Sequence, residues 1–317
     1  MFITAASTIS YQPTFRNPGF SMQLKALSNS SQLLTTDYSE FISALDRRRM
    51  SQVQKTSITC AMDCLHQAGI EQPNAIIVGT SMGCSVNIKN FLDKIFDAGE
   101  GPLSPTSFIV STHNTVAGQI ALLLKNHGYN MTYTQNTLSF EQAMFDAILC
   151  CDEGVSNVLV GGADEEEESI YNTRVRLNNE TLVLASGASF FVVSNVKTSG
   201  AVCLLNVATF GLVKDTSIVL QEFLDANNLS AHEIDLVLFA TNDKANGEGL
   251  PFPPGKLIDY QQLAGTYYTN SAFALHYAFD ILTVNPHPNF GDVKTILIYN
   301  NLLPENLGLT LLTSEPT

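Results

Sequence analysis

Basic residues are scarce in this chain. Sixteen lysines and arginines stand against thirty aspartates and glutamates, for a net charge of −14. A surface so negative excludes an extended nucleic-acid face. The one basic cluster is Arg47-Arg48-Arg49. No apolar run reaches the length of a membrane span, so no membrane association is expected. Met1 to Ser10 lacks a basic start and a long apolar centre, so it reads as a first strand rather than a secretory signal, and the expected location is cytoplasmic. Neither a Cys-x-x-Cys pair nor a zinc-type spacing occurs. Cys60 and Cys64 stand four apart on a predicted helix, and all six cysteines read as buried free thiols. Low-complexity tracts are absent too.

What is present is an apolar, globular chain. Of 317 residues, 45% are hydrophobic, enough for a substantial core. Met1 to Ile9 reads as a strand, and residues 10 to 45 as loop. Thr56 to Ala68 is an amphipathic helix closed by Gly69. Ala75 to Val78 is a buried strand, followed by a turn at Gly79 to Gly83 and a helix to about Phe96. Thr106 to Val110 is expected to be extended. Asn114 to Asn126 is a helix that Gly128 should stop. Leu182 to Val193 reads as a strand with a small-residue break at Ala185 to Ala188, and Val202 to Val207 starts another.

The centre of the pattern is Thr132 to Glu165. A β-rich piece, Thr132 to Thr134, leads into a helix whose Ser139 and Gln142 have capping-box spacing. Phe140, Ala143, Met144, Ala147, Ile148 and Cys151 give that helix a buried face. Val158 to Val160 is a short strand that Gly161-Gly162 should end. The acidic run Asp164 to Glu168 is expected to be solvated.

Two echoes divide the chain. Thr56-Ser57-Ile58 opens a helix that leads to the strand at Ala75. Thr216-Ser217-Ile218 does the same before the strand Ile234 to Thr241. Thr132-Tyr133, Asn136, Phe145-Asp146 and Ile148 match Thr266-Tyr267, Asn270, Phe279-Asp280 and Leu282 at an offset of 134. The last strand, Thr295 to Tyr299, parallels Val158 to Val160. This is the signature of an internal duplication. The expected halves are residues 1–198 and 199–317, packed as one unit.

Several groups invite a chemical reading. Gly79-Thr80-Ser81-Met82-Gly83 fits Gly-x-Ser-x-Gly between a strand and a helix, which would make Ser81 a hydrolase nucleophile, with His232, His276 or His287 as base. Cys84 opens the next helix, where a thiol pKa can fall. The histidines also have structural readings: His66 and His127 near helix ends, His113 packing or capping, and His287 exposed in a Pro-x-Pro loop. No metal site is expected from them.

The stretch Thr132 to Glu165 resembles the nucleophile segment of the β-ketoacyl synthases of the thiolase superfamily. There a Thr-Ala-Cys-Ala turn opens a buried helix and a Gly-Gly-Ala-Glu strand end follows. Gly161-Gly162-Ala163-Asp164 matches that strand end, and the alignment puts Asn136 at the cysteine. Leu45 to Met50, Ile77 to Gly83, His113 to Gly118 and Leu184 to Val193 resemble further family segments. In the family two histidines assist decarboxylation. The first would fall at Thr241 to Asp243, the second at Thr266 or Tyr267 where the last buried helix opens. The family lysine falls near Gln261, and its Gly-Phe-Gly-Gly loop near Leu302 to Asn306.

The resemblance implies an α/β, thiolase-like fold of two similar halves in five layers, α-β-α-β-α. It also implies a compact, catalytically degenerate subunit, similar to chain-length factors. Such a subunit has no cofactor, pairs with an active β-ketoacyl synthase, meets acyl carrier protein through that partner, and walls off the acyl chain. Asn136, Thr241 and Thr266 are its degenerate positions. By the same resemblance His113, Asn114, Val116, Ala117, Ile120, Thr132, Tyr133, Thr134 and Gln135 lie at a dimer interface. A serine hydrolase acting through Ser81 and a self-associating scaffold remain as alternatives.

Overall fold

The computed structural model describes residues 1–98, 101–165, 183–241, 247 and 249–314. Its strands are β1 (Phe2–Ile9), β2 (Ala75–Gly79), β3 (Tyr129–Tyr133), β4 (Val158–Asp164), β5 (Gly187–Ser194), β6 (Val202–Gly211), β7 (Leu236–Thr241), β8 (Leu257–Asp259), β9 (Thr295–Asn301) and β10 (Asn306–Thr313). The helices are α1 (Ala44–Arg47), α2 (Gln52–Ala68), α3 (Ser85–Ala98), α4 (Pro105–Ile109), α5 (Thr115–Leu124), α6 (Ser139–Asp152), α7 (Thr216–Ala226), α8 (Gln261–Ala264) and α9 (Ser271–Thr283).

The strands run in the order β3-β2-β4-β5-β1-β6-β10-β9-β7-β8. The order is a palindrome: matching β1 to β6, β2 to β7, β3 to β8, β4 to β9 and β5 to β10, the second five mirror the first. Each half carries a parallel trio around β2 or β7, and antiparallel strands toward the middle. The two halves share one continuous sheet, but only just. β1 meets β6 at Phe2↔Cys203 and Ile3↔Val202 alone.

Strand alternation sorts side chains into three cores. Ile77, Val160, Phe191, Leu238 and Ile298 face a central cluster that holds α6 and α9. Ile76, Val78, Leu159 and Val192 face the opposite way, against α2 and α5. Val237, Leu297 and Leu309 do the same against α7. Helix, strands, helices, strands, helix is the five-layer, thiolase-like arrangement, and both central helices are apolar around most of their circumference because strands cover them on two sides.

Several local expectations need correction. Thr106 to Val110 is mostly helix, not extended. Pro105 sits at the first helical positions of α4, where its fixed φ helps and its missing N–H costs nothing. α5 ends at Leu124, with Lys125 left-handed at φ 52°, before Gly128 is reached. β4 runs through Gly161-Gly162 to Asp164. The glycines are there for clearance: a Cβ on Gly161 would enter the Phe190 ring, and one on Gly162 would lie 2.8 Å from Ala272 Cβ. The break before β5 is confined to residues before Gly187. α9 opens at Ser271, not at Gly265, because Thr266 first bridges to Leu184 and a turn to Asn270 follows.

Candidate functional site

The entry to α6 is built from close backbone approach. Gly79 ends β2 directly against it, and a Cβ there would sit 2.6 Å from the Ser139 carbonyl carbon. The chain turns at Asn136, whose φ of 50° is left-handed, a region costly for most L-residues and tolerated by Asn. A single 3-10 turn, Asn136–Leu138, then feeds the helix. The predicted capping box is absent. Ser139 is already helical; its hydroxyl accepts from Gln135 N (2.8 Å) and donates to Asn136 O (2.7 Å). Gln142 instead reaches Thr209 Oγ1.

Asn136 is exposed, and its left-handed turn presents an amide at the mouth of the central helix. An amide donates and accepts hydrogen bonds but is no nucleophile at neutral pH. Thr241 ends β7 and pairs across to Asn301 of β9. The neighbouring Asn300 donates to Thr137 O (2.8 Å) and Glu141 Oε1 (2.7 Å). Asn300 thus ties the end of β9, the strand beside β7, to the turn that carries Asn136. Thr266 accepts from Gln261 Nε2 (3.3 Å), and its amide donates to Val183 O (2.8 Å), five residues before α9. Asn242 and Asp243 lie outside the described residues.

Glu141 is the group that sequence reasoning missed. It is 1% exposed in the first turn of α6. Burial pushes its carboxyl up to about 6, against the lowering effect of Asn300. Among the described residues its Oε2 and the hydroxyls of Thr137 and Tyr260 have no hydrogen-bond partner, while the Ser271 hydroxyl adds to the lowering effect. The signal was available, since Glu141 precedes buried Met144 by three residues and so shares its face.

Asp164 and Glu165 also depart from expectation. They are buried, not solvated, because backbone amides take the place of water. Asp164 accepts from Ser81 N (2.9 Å), Met82 N (2.8 Å) and Thr80 Oγ1 (2.7 Å). Glu165 accepts from Val53 N (3.3 Å) near the start of α2 and from Val86 N (3.2 Å) near the start of α3. Burial raises Asp164 to about 6 and Glu165 to about 7. The elbow-like turn after β2 is therefore stoppered by the chain's own carboxylate, in the place where an oxyanion would need free amides. Glu166 to Glu168 lie outside the described residues. Burial, with the Glu165 carboxylate adding to it, lifts the Cys84 thiol to about 12, the reverse of activation. All six cysteines are buried and free, as read from their positions. His287 is buried rather than exposed, with Nε2 3.0 Å from Ser21 Oγ.

Val116, Ala117 and Ile120 are wholly buried in their own subunit's core. His113, Asn114, Thr134 and Gln135 are exposed, and Thr132 and Tyr133 half-buried. The outward apolar residues nearby are Leu122 and Leu123 on α5, Tyr129 and Met131 on β3, and Phe145 and Leu149 on α6. β3 is one end of the sheet. Among the described residues no helix is long and apolar enough to cross a membrane.

Solved structures share this architecture along their whole length. The ishigamide ketosynthase/chain length factor matches with a TM-score of 0.81 at 16% identity, over 98% of each chain. A type II polyketide synthase acyl-carrier protein in complex with its ketosynthase bound to the hexaketide (AntDE:AntF) matches at 0.76 and 13%, over 99% of each. The ketosynthase ApeO in complex with its chain length factor ApeC from Xenorhabdus doucetiae matches at 0.61 and 14%, over 97% of each. At such identities the likeness establishes the fold. None of the curated proteins matches the chain. The family model described as the N-terminal domain of β-ketoacyl synthase matches residues 23–209, more than half the chain. With a glycine-lined, left-handed turn entering a doubly covered central helix, this chain belongs to the β-ketoacyl synthase family.

Proposed function

We propose that this chain is a non-catalytic, chain-length-factor-like subunit that pairs with an active β-ketoacyl synthase. The observation that carries the reading is Asn136, an amide in the left-handed turn where the family places its cysteine. Thr241 and Thr266 stand where the family has imidazoles, and among the described residues Thr266 is hydrogen-bonded to Gln261, Val183 and Ala185. The exposed edge of β3, flanked by Leu122, Tyr129, Met131 and Phe145, is the surface we assign to the partner. This moves the interface outward from Val116, Ala117 and Ile120, and keeps His113, Asn114 and Thr132 to Gln135 at its margin. The two halves, 1–198 and 199–317, divide in the loop between β5 and β6.

The neighbours named above include ketosynthase pairs with a chain length factor and one with an acyl-carrier protein. By analogy the pathway is a type II polyketide, aryl-polyene or fatty-acid-like synthesis in the cytoplasm, and this subunit walls the acyl cavity. With a charge of −14 it is a poor dock for an acidic carrier protein, which is recruited by the partner. The test is co-expression with a ketosynthase encoded beside it, followed by intact-mass analysis after incubation with acyl carrier protein. The expected result is co-purification with acyl transfer to the partner alone. An acyl adduct on this chain, or a stable monomer in the presence of the partner, would overturn the reading.

A further inference from the structure

Beyond Ile3 the strands β1 and β6 part. Beside that gap lies a cavity of about 530 Å³, lined by Ala6, by Asp63 and His66 of α2, by His276 and Asp280 of α9, and by Arg16 and Glu40. It opens toward the C-terminal ends of α2 and α9, away from Asn136 at the start of α6. The volume is that of a small-molecule site.

Its walls accept hydrogen bonds more than they give them. Asp63 and Asp280 are 1% and 5% exposed. Asp280 takes the amides of Gly19 (2.7 Å) and Ser21 (2.9 Å), one on each oxygen, leaving further lone pairs. The donors nearby are largely committed. Arg16 binds Glu40 through two nitrogens and Asp63 through Nε. Gln67 Nε2 binds Asp63, Thr14 Oγ1 gives to Thr8 O, and Asn17 Nδ2 gives to Pro13 O. Two helix C-termini add the negative ends of their dipoles.

His276 is the independent sign of a ligand. Its side chain is 7% exposed and lines the cavity. Thr8 Oγ1 spends its proton on Ser189 Oγ (2.8 Å), so it must accept from His276 Nδ1 (2.8 Å). The other ring nitrogen, Nε2, is then an unprotonated acceptor, and among the described residues no protein group donates to it. Burial among Phe20, Phe191 and Phe279 keeps the ring neutral, its pKa lowered to about 3. Nε2 is not among the fully buried atoms without a partner, so it is open to the cavity and can accept from whatever fills it.

We infer that this cavity binds a small organic cation, an ammonium or guanidinium on a short aliphatic body. Its N–H groups donate to His276 Nε2 and Asp280, and its stem lies along Phe279. Arg16 already shows the chemistry in cis, with a guanidinium seated between Glu40 and Asp63 over the rings of Phe15 and Phe41. The inference is independent of the pairing reading, and neither falls with the other.

Agmatine and cadaverine are the probes, titrated calorimetrically into the full chain at fixed ionic strength, with sodium chloride as the control cation. One saturable site is expected, with His276→Leu and Asp280→Asn each weakening it about tenfold or more. Because either variant could loosen the fold, a second reading uses the wild type with ¹⁵N-histidine. The Nε2 resonance of His276 should move on saturation while that of Nδ1 stays. Heat that does not saturate, equal affinity in a folded His276→Leu protein, or an unmoved Nε2 resonance would each overturn the inference.

Discussion

Replacing Glu165 by glutamine tests whether burial or helix capping governs the carboxylate that joins α2 to α3. The side chain is 4% exposed, and burial raises its pKa from 4.5 to about 7, with Asp164 adding to the rise. Moving a carboxyl that far makes its ionised form about 3 kcal/mol less stable in the fold than its protonated form. The folded pKa lies above the unfolded one, so the fold holds an extra proton between pH 4.5 and about 7. The group's contribution is therefore full below pH 4.5 and lost as pH rises through 7. Glutamine resembles the protonated acid: one oxygen accepts, and the other amide loses its partner. Urea unfolding of both proteins from pH 4.5 to 8 reads the difference. Near pH 4.5 the two should agree within about 1 kcal/mol, since both hold one amide well and one poorly. By pH 8 the balance should have moved about 3 kcal/mol in favour of the variant. The titration of Asp164 occurs in both and largely cancels. A difference independent of pH refutes the reasoning. So does one that moves toward the wild type as pH rises, since the two amides and two helix N-termini would then outweigh burial.

Gly79→Ala should destabilise by about 3 kcal/mol, because the new Cβ meets Ser139 and Phe140 backbone that cannot yield; a loss under 1 kcal/mol in urea unfolding would show that the approach of β2 to α6 has slack. A fluorophosphonate probe should leave Ser81 unlabelled, with its amide and that of Met82 held by Asp164; a mass adduct on Ser81 would restore the hydrolase alternative. The double variant Leu122→Glu, Met131→Glu should fold normally, both side chains being exposed, yet fail to co-purify with the ketosynthase partner; retained pairing would place the interface elsewhere.

Much of this fold was legible because its signals are local. The apolar runs of β2 and β7, and 3.6-residue spacing in α6, need only neighbours in sequence. Even the palindrome was foreshadowed by the Thr-Ser-Ile triplets, which open α7 and lie one turn into α2. The failures share a different cause. Gly161-Gly162 read as a stop because sequence does not show Phe190 and Ala272 filling the space above a strand. Asp164 and Glu165 read as solvated because their partners, the amides of residues 53 to 86, are far away in sequence. His287 looked exposed for want of Ser21, and His276 looked unremarkable until Thr8 fixed its tautomer. Residues whose meaning depends on distant backbone donors are the ones that a single sequence hides.

The palindromic sheet has two ends, and they are not alike. β3 offers five residues with an apolar flank, while its counterpart β8 is cut to three, Leu257–Asp259. Strand addition at β3 therefore has no equal at the far end to continue it. Under the pairing proposed above, and with the edges seen among the described residues, assembly through β3 would stop at a closed pair, growth being terminated by the shortness of a single strand.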